Sequence, residues 1–276
     1  MLDDEALQRM ADRLVGIEGV VGVTLGGSRA RGAHAPDSDV DLGVYVEGDA
    51  DDLVLDALAS TASDEPASWG GAGGWGPWVD GGAWLVVGGT RVDWIRRELE
   101  RVDAQWERAL AGEHALHAQA GHPLGFLDVA YCGELALARI LADPSGALAE
   151  RQRRMRPMPE ALGDALEARL WEARFEASAA AKGAARGDAA FVALALGRAL
   201  TLAALAIHGR ARAWSTNEKG LVAAADGLPG APAGFAARVA EALALGDASP
   251  ASLVAAVGRT EALLAEVEAT CGGVSR

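Results

Sequence analysis

Gly26-Gly27-Ser28-Arg29-Ala30-Arg31-Gly32, followed by Asp37-Ser38-Asp39-Val40-Asp41-Leu42-Gly43-Val44, decides how this chain folds. Ten residues separate Ser28 from Asp39, and Asp39 and Asp41 stand two apart. The run from Asp39 to Val46 alternates like a strand, and residues two apart on a strand project from one face. Two carboxylates converging on one spot repel each other unless a cation lies between them. Hard oxygen donors of this kind suit Mg²⁺. Just upstream, Gly19-Val20-Val21-Gly22-Val23-Thr24-Leu25 reads as a strand. Gly26-Gly27-Ser28 then reads as a tight turn of small residues, where backbone can come close to a phosphate. Asp37, Asp39 and Asp41 also fall at positions 1, 3 and 5 of an EF-hand loop. That loop requires Gly sixth and Glu twelfth; Leu42 and Gly48 stand there, so a calcium loop is excluded.

A Gly-Ser turn, ten residues and Asp-x-Asp together resemble the signature of the DNA polymerase β-like nucleotidyltransferase superfamily. The resemblance implies that Gly27, Ser28 and Arg31 contact the β/γ-phosphates of an NTP. It implies that Asp39 and Asp41 hold one or two Mg²⁺ ions bridging that triphosphate. A third carboxylate on a later strand completes the family's set, and the best match is Asp93 in Thr90-Arg91-Val92-Asp93-Trp94-Ile95. The strand Gly82 to Val87 and the Gly88-Gly89 turn before it predict a β-hairpin. Asp93 would bind metal, take the proton from an attacking hydroxyl, or both.

At 276 residues the chain can bury a good core and has room for two domains. Half of its residues are hydrophobic, which excludes a disordered chain. The acidic start Met1-Leu2-Asp3-Asp4-Glu5 is wrong for a secretory signal, and Cys132 and Cys271 form neither a metal nor a redox spacing. Together these predict a cytoplasmic protein with no membrane partner. Through Asp143 there are 25 acidic and 10 basic residues, against 14 and 15 in the remainder. So acidic a first half repels polyanions and disfavours long nucleic acid, while a cationic small molecule is attracted.

Helical periodicity predicts helices from Asp3 to Val15, Asp51 to Ala62 and Glu98 to Ala111. Ser63 to Asp80 is a loop rich in Gly, Pro and Trp. It contains Gly71-x-Gly73-x-x-Gly76, but no strand leads into it and Pro77 follows, so a dinucleotide fingerprint is excluded. Trp69, Trp75, Trp78 and Trp84 read as the cover of a hairpin or as rings for stacking on a base or sugar. His114, His117 and His122 match no zinc spacing and are expected to face solvent. Glu134 is a further candidate for orienting an acceptor. Leu141 to Gly146 is a punctuated turn, and helical stripes follow at Glu160 to Lys182, Asp188 to Ile207, Phe235 to Leu245 and Pro250 to Thr270.

The expected fold is α+β, with a nucleotidyltransferase domain of mixed β-sheet and flanking helices over residues 1–145 and an α-helical bundle over 146–276. Related two-domain enzymes carry a helical-domain lysine that reaches the triphosphate; Lys219, one of two lysines, is the candidate. The implied activity is Mg²⁺-dependent transfer of a nucleoside monophosphate from an NTP, ATP for choice, to a hydroxyl of an aminoglycoside- or lincosamide-like acceptor. The sequence leaves room for a homodimer. Two alternatives stand beside it. A protein-modifying antitoxin is disfavoured by the long helical half, and a non-catalytic nucleotide-binding regulator by the three carboxylates.

Overall fold

A computed structural model describes residues 2–30 and 38–270. Arg31 and Asp37 lie outside the described residues, and of Ser28 only the backbone is described. The chain packs as two compact units: Met1–Arg108 with Ala115–Pro157, and Ala109–His114 with Met158–Arg276.

The elements run α1 (Asp4–Leu14), β1 (Val20–Leu25), a short α2 (Gly27–Ala30), β2 (Val40–Val46) and α3 (Asp52–Ala62). They continue with β3 (Gly82–Val87), β4 (Thr90–Glu98), α4 (Leu99–Leu110), β5 (Leu116–Gln119) and β6 (His122–Leu127). Then come α5 (Ala130–Leu137), β7 (Arg139–Ala142) and α6 (Ala147–Met155). Asp3 accepts a hydrogen bond from the Ala6 amide at 2.8 Å and so starts α1. Asp51 does the same for α3 from the Val54 amide at 3.1 Å.

Five strands form one mixed sheet in the order β3-β4-β2-β1-β7. β2 and β4 run parallel, and the other neighbours are antiparallel. Alternation gives the sheet two different faces. Val40, Leu42, Val44, Val92 and Trp94 are fully buried against Leu7, Ala11 and Leu14 of α1 and Leu55 and Ala59 of α3. Each such side chain contributes roughly 1.5–3 kcal/mol by leaving water. Asp41, Gly43, Asp93 and Ile95, the residues between, lie on the other face and are only half buried.

Two features of this unit differ from the sequence reading. β5 and β6 form a hairpin around His117 and His122 that the sequence did not single out, because its strands are short and Pro123 and Gly125 interrupt the pattern. Its histidines do not simply face solvent: His117 stacks on Trp78 at 3.9 Å, and its Nε2 lies 3.2 Å from the buried Asp128. Helix α6 belongs to the first unit, where the Gln152 amide donates to the carbonyls of Leu135 and Ala138, both at 2.8 Å.

The second unit is helical: α7 (Glu160–Ala168), α8 (Leu170–Ala184), α9 (Ala189–Arg210), α10 (Leu221–Asp226), α11 (Phe235–Leu243) and α12 (Pro250–Thr270). The expected Glu160 helix is two, broken at Arg169. Helix α9 is long and apolar enough to span a bilayer, yet 67% of that window is buried inside the protein, as in a core helix. Gly209 lets α7 come close: a Cβ there would meet the Gly163 carbonyl at 2.6 Å.

Candidate active site

The residues of interest lie in one row across the sheet. Asp41 on β2 and Asp93 on β4 are direct register partners. Partners on neighbouring strands project from the same face, with Cα atoms about 5 Å apart. On the β1 side of Asp41, the Gly26 amide donates to the Asp41 carbonyl at 2.8 Å. Gly27 has φ +62°, and a Cβ built on it would fall on the Asp41 carboxylate. Only glycine fits there, in conformation and in space. On the far side of Asp93, its antiparallel partner on β3 is Trp84. The row therefore reads Gly26–Gly27, Asp41, Asp93, Trp84.

Asp39 enters from the residue before β2. Its Oδ1 accepts from Arg91 Nε at 2.9 Å, in a pair that is largely exposed. Arg29 of α2 donates to the Ser38 carbonyl through Nη2 at 2.7 Å and to the Asp39 carbonyl through Nε at 3.2 Å. Among the described residues, no three His, Cys, Asp or Glu side chains already form a metal centre. Asp41 and Asp93 nevertheless stand in register beside a turn that any Cβ would fill, and their oxygens are of the hard type that divalent cations prefer.

Further along the same face the character changes. Arg97, 3% exposed, makes a two-pronged ion pair with Glu134 of α5, at 2.6 and 3.0 Å. Arg97 also lies 4.9 Å from the centre of the Tyr131 ring. Burial works against the Arg97 charge, but Glu134 more than offsets it and raises the guanidinium above its ordinary value. Burial likewise pushes the Tyr45 phenol well up and the Cys132 thiol up to about 12. Glu134, a candidate for orienting an acceptor, thus has both oxygens engaged by Arg97. Arg97 stands four residues beyond Asp93, about 13 Å along the strand.

Lys219 lies in the second unit, exposed in the turn before α10, where its amide donates to Asn217 Oδ1 at 2.9 Å. Two arginines of α6 are paired: Arg151 with Asp103 at 2.7 Å and Arg154 with Glu107 at 3.9 Å. Arg29 and Arg91 were not singled out as site residues by the sequence, and Trp84 was read only with three other tryptophans, as hairpin cover or stacking ring. Their positions follow from strand pairing, which short-range spacing does not carry.

Residues 5–105, the stretch from α1 into α4 that contains the whole row, match the family described as nucleotidyltransferase domain. Among solved structures, the chain is similar to a nucleotidyltransferase-like protein from Exiguobacterium sibiricum 255-15. The two are 11% identical, with 95% of this chain and 74% of that chain covered at a TM-score of 0.44. No curated protein matches the chain.

Proposed function

The protein is a nucleotidyltransferase by the domain that its residues 5–105 form, and from that premise we propose what it transfers and to what. It moves a nucleoside monophosphate from an NTP, preferably ATP, to a hydroxyl of a small-molecule acceptor of aminoglycoside or lincosamide type, with release of pyrophosphate. The observation that carries this reading is the register pairing of Asp41 with Asp93 beside the Gly26–Gly27 turn.

The side chains divide the work. Gly27 and Ser28 offer the β/γ-phosphates a turn without bulk, and Arg31 supplies positive charge to them. Asp39, Asp41 and Asp93 would hold Mg²⁺, which when bound offsets charge on the α-phosphate and the leaving pyrophosphate. For Asp39 to join, its carboxylate must leave Arg91. Asp93 accepts the proton of the acceptor hydroxyl as the new O–P bond to the α-phosphorus forms and the bond to the β-phosphate oxygen breaks. The acidic first half favours a cationic acceptor in a cytoplasmic setting and disfavours long nucleic acid.

The experiment is an acceptor screen with α-labelled NTPs and Mg²⁺, followed by mass spectrometry. The expected result is acceptor-dependent pyrophosphate release with one NMP added to the acceptor. Labelling of protein alone would favour the antitoxin reading. NTP binding without turnover over a broad acceptor set would favour the regulator.

A further inference from the structure

The four tryptophans around the Gly-rich loop have different fates. Trp69 is buried, and its indole N–H donates to Asp52 at 2.8 Å. Trp78 packs on His117 and Phe126. Trp69 thus fastens the loop to α3, and Trp78 fastens it to the β5–β6 hairpin. Trp84 does neither: it is 63% exposed, while its neighbours Ala83 and Leu85 lie in the core. Its ring stacks face to face with Trp75 at 4.1 Å and 5°.

That stack is held in place. Gly70 and Gly82 make room for Trp75, since a Cβ on Gly82 would meet its ring at 2.9 Å and one on Gly70 at 3.1 Å. The Gln119 amide donates to the Trp75 carbonyl at 2.9 Å, and its oxygen accepts from the amides of Trp78 and Val79 at 3.0 and 3.2 Å. An indole left largely in water forgoes much of its burial energy. Here the exposed Trp84 is braced by the half-buried Trp75 on the strand beside Asp93.

Direction says which ligand that face meets. Nucleotidyl transfer is an in-line displacement, with attacking and leaving oxygens on opposite sides of phosphorus. With the leaving phosphates at Gly27 on the β1 side of Asp41, the attacking hydroxyl comes from the β3 side of Asp93. The next residue there is Trp84.

We propose that the Trp84–Trp75 stack is the acceptor platform, and that it holds an amino-sugar ring by its C–H face and ammonium groups. The inference rests on the transfer reading above. An indole face is electron-rich and attracts cations, and it also packs against apolar ring faces. The surplus of acid in this half of the chain adds to the same preference.

The test uses kanamycin as an amino-sugar probe and a non-hydrolysable α,β-methylene ATP with Mg²⁺, each titrated calorimetrically into the full chain. Trp84→Ala should weaken kanamycin about tenfold, and Trp84→Phe should restore most of it, with nucleotide affinity unchanged in both. Melting curves should stay near wild type, because the removed ring is exposed. Equal kanamycin affinity in Trp84→Ala would overturn the platform. So would loss of nucleotide affinity there, which would seat the nucleobase on the indole. A wild-type protein that binds nucleotide but not kanamycin would overturn the amino-sugar assignment and leave nucleotidyl transfer standing. Failure of the wild type to bind the nucleotide would bring down the transfer reading itself.

Discussion

One sheet face carries two acid sites that are built in opposite ways. At the covered end, Glu134 meets Arg97 head-on, and the Arg97 guanidinium lies against the Tyr131 ring. At the open end, Asp41 and Asp93 stand side by side on adjacent strands, with a glycine turn on one flank and an exposed indole on the other. The same strands thus neutralise one acid with a built-in cation and set two acids next to each other only a few residues away. The first arrangement stabilises the fold. The second gathers hard oxygen donors on one face, the kind of grouping that a divalent cation suits.

The sharpest way to break this contrast is Asp41→Asn or Asp93→Asn. Either should lower transfer by about 1,000-fold or more, since a metal-centred charge contribution is worth several kcal/mol. Thermal melting should hardly move. Turnover near wild type in both would make the open end as structural as the covered one.

Glu134→Gln probes the other end. It leaves the Arg97 charge buried without its partner, and the loss in stability should be about 3 kcal/mol by urea denaturation, with the folded fraction still active. Unchanged stability would mean that the ion pair does not hold α5 to the sheet.

Gly27→Ala tests how tightly the open end is made. A methyl group placed on the Asp41 carboxylate, in a backbone region that favours glycine, should cost about 1–2 kcal/mol of stability. Mg²⁺-nucleotide affinity should fall with it, by about tenfold, in the same calorimetric assay.

A smaller effect is expected from Arg91→Ala. Asp39 loses an exposed partner, a contact worth about 1 kcal/mol or less, so Mn²⁺ should bind a few-fold more tightly by electron paramagnetic resonance titration. Weaker Mn²⁺ binding would instead make Arg91 a support for Asp39.

The smallest response belongs to Cys132. Burial pushes its thiol up to about 12, so the reactive thiolate stays scarce at pH 8. Peptide mapping after brief iodoacetamide treatment should find it unmodified in native protein and modified in urea. Rapid native labelling would show the covered end opening to solvent.

Local pattern made much of this legible. The β3 strand and helix α12 have the bounds that sequence periodicity gives, and α1 lies within one residue of them. Capping residues and a single repeating stripe suffice for such elements. The β5–β6 hairpin was hidden because β5 is four residues long and β6 carries Pro123 and Gly125, which read as loop. The break at Arg169 was hidden because the apolar stripe continues across it. At the site, Asp41 and Asp93 were visible as types on strands, whereas their facing register, and Trp84 beside them, depend on non-local pairing. Glu134 looked like chemistry, and Arg97, which engages it, lies 37 positions away.

The Arg29 clasp has a mechanical consequence. One guanidinium binds the carbonyls of Ser38 and Asp39 from the helix that follows the glycine turn. The Gly26 amide holds the Asp41 carbonyl two residues further on. Turn and strand are laced at two points, so a push on the glycine turn is passed to the strand that carries Asp41 as one stiff piece.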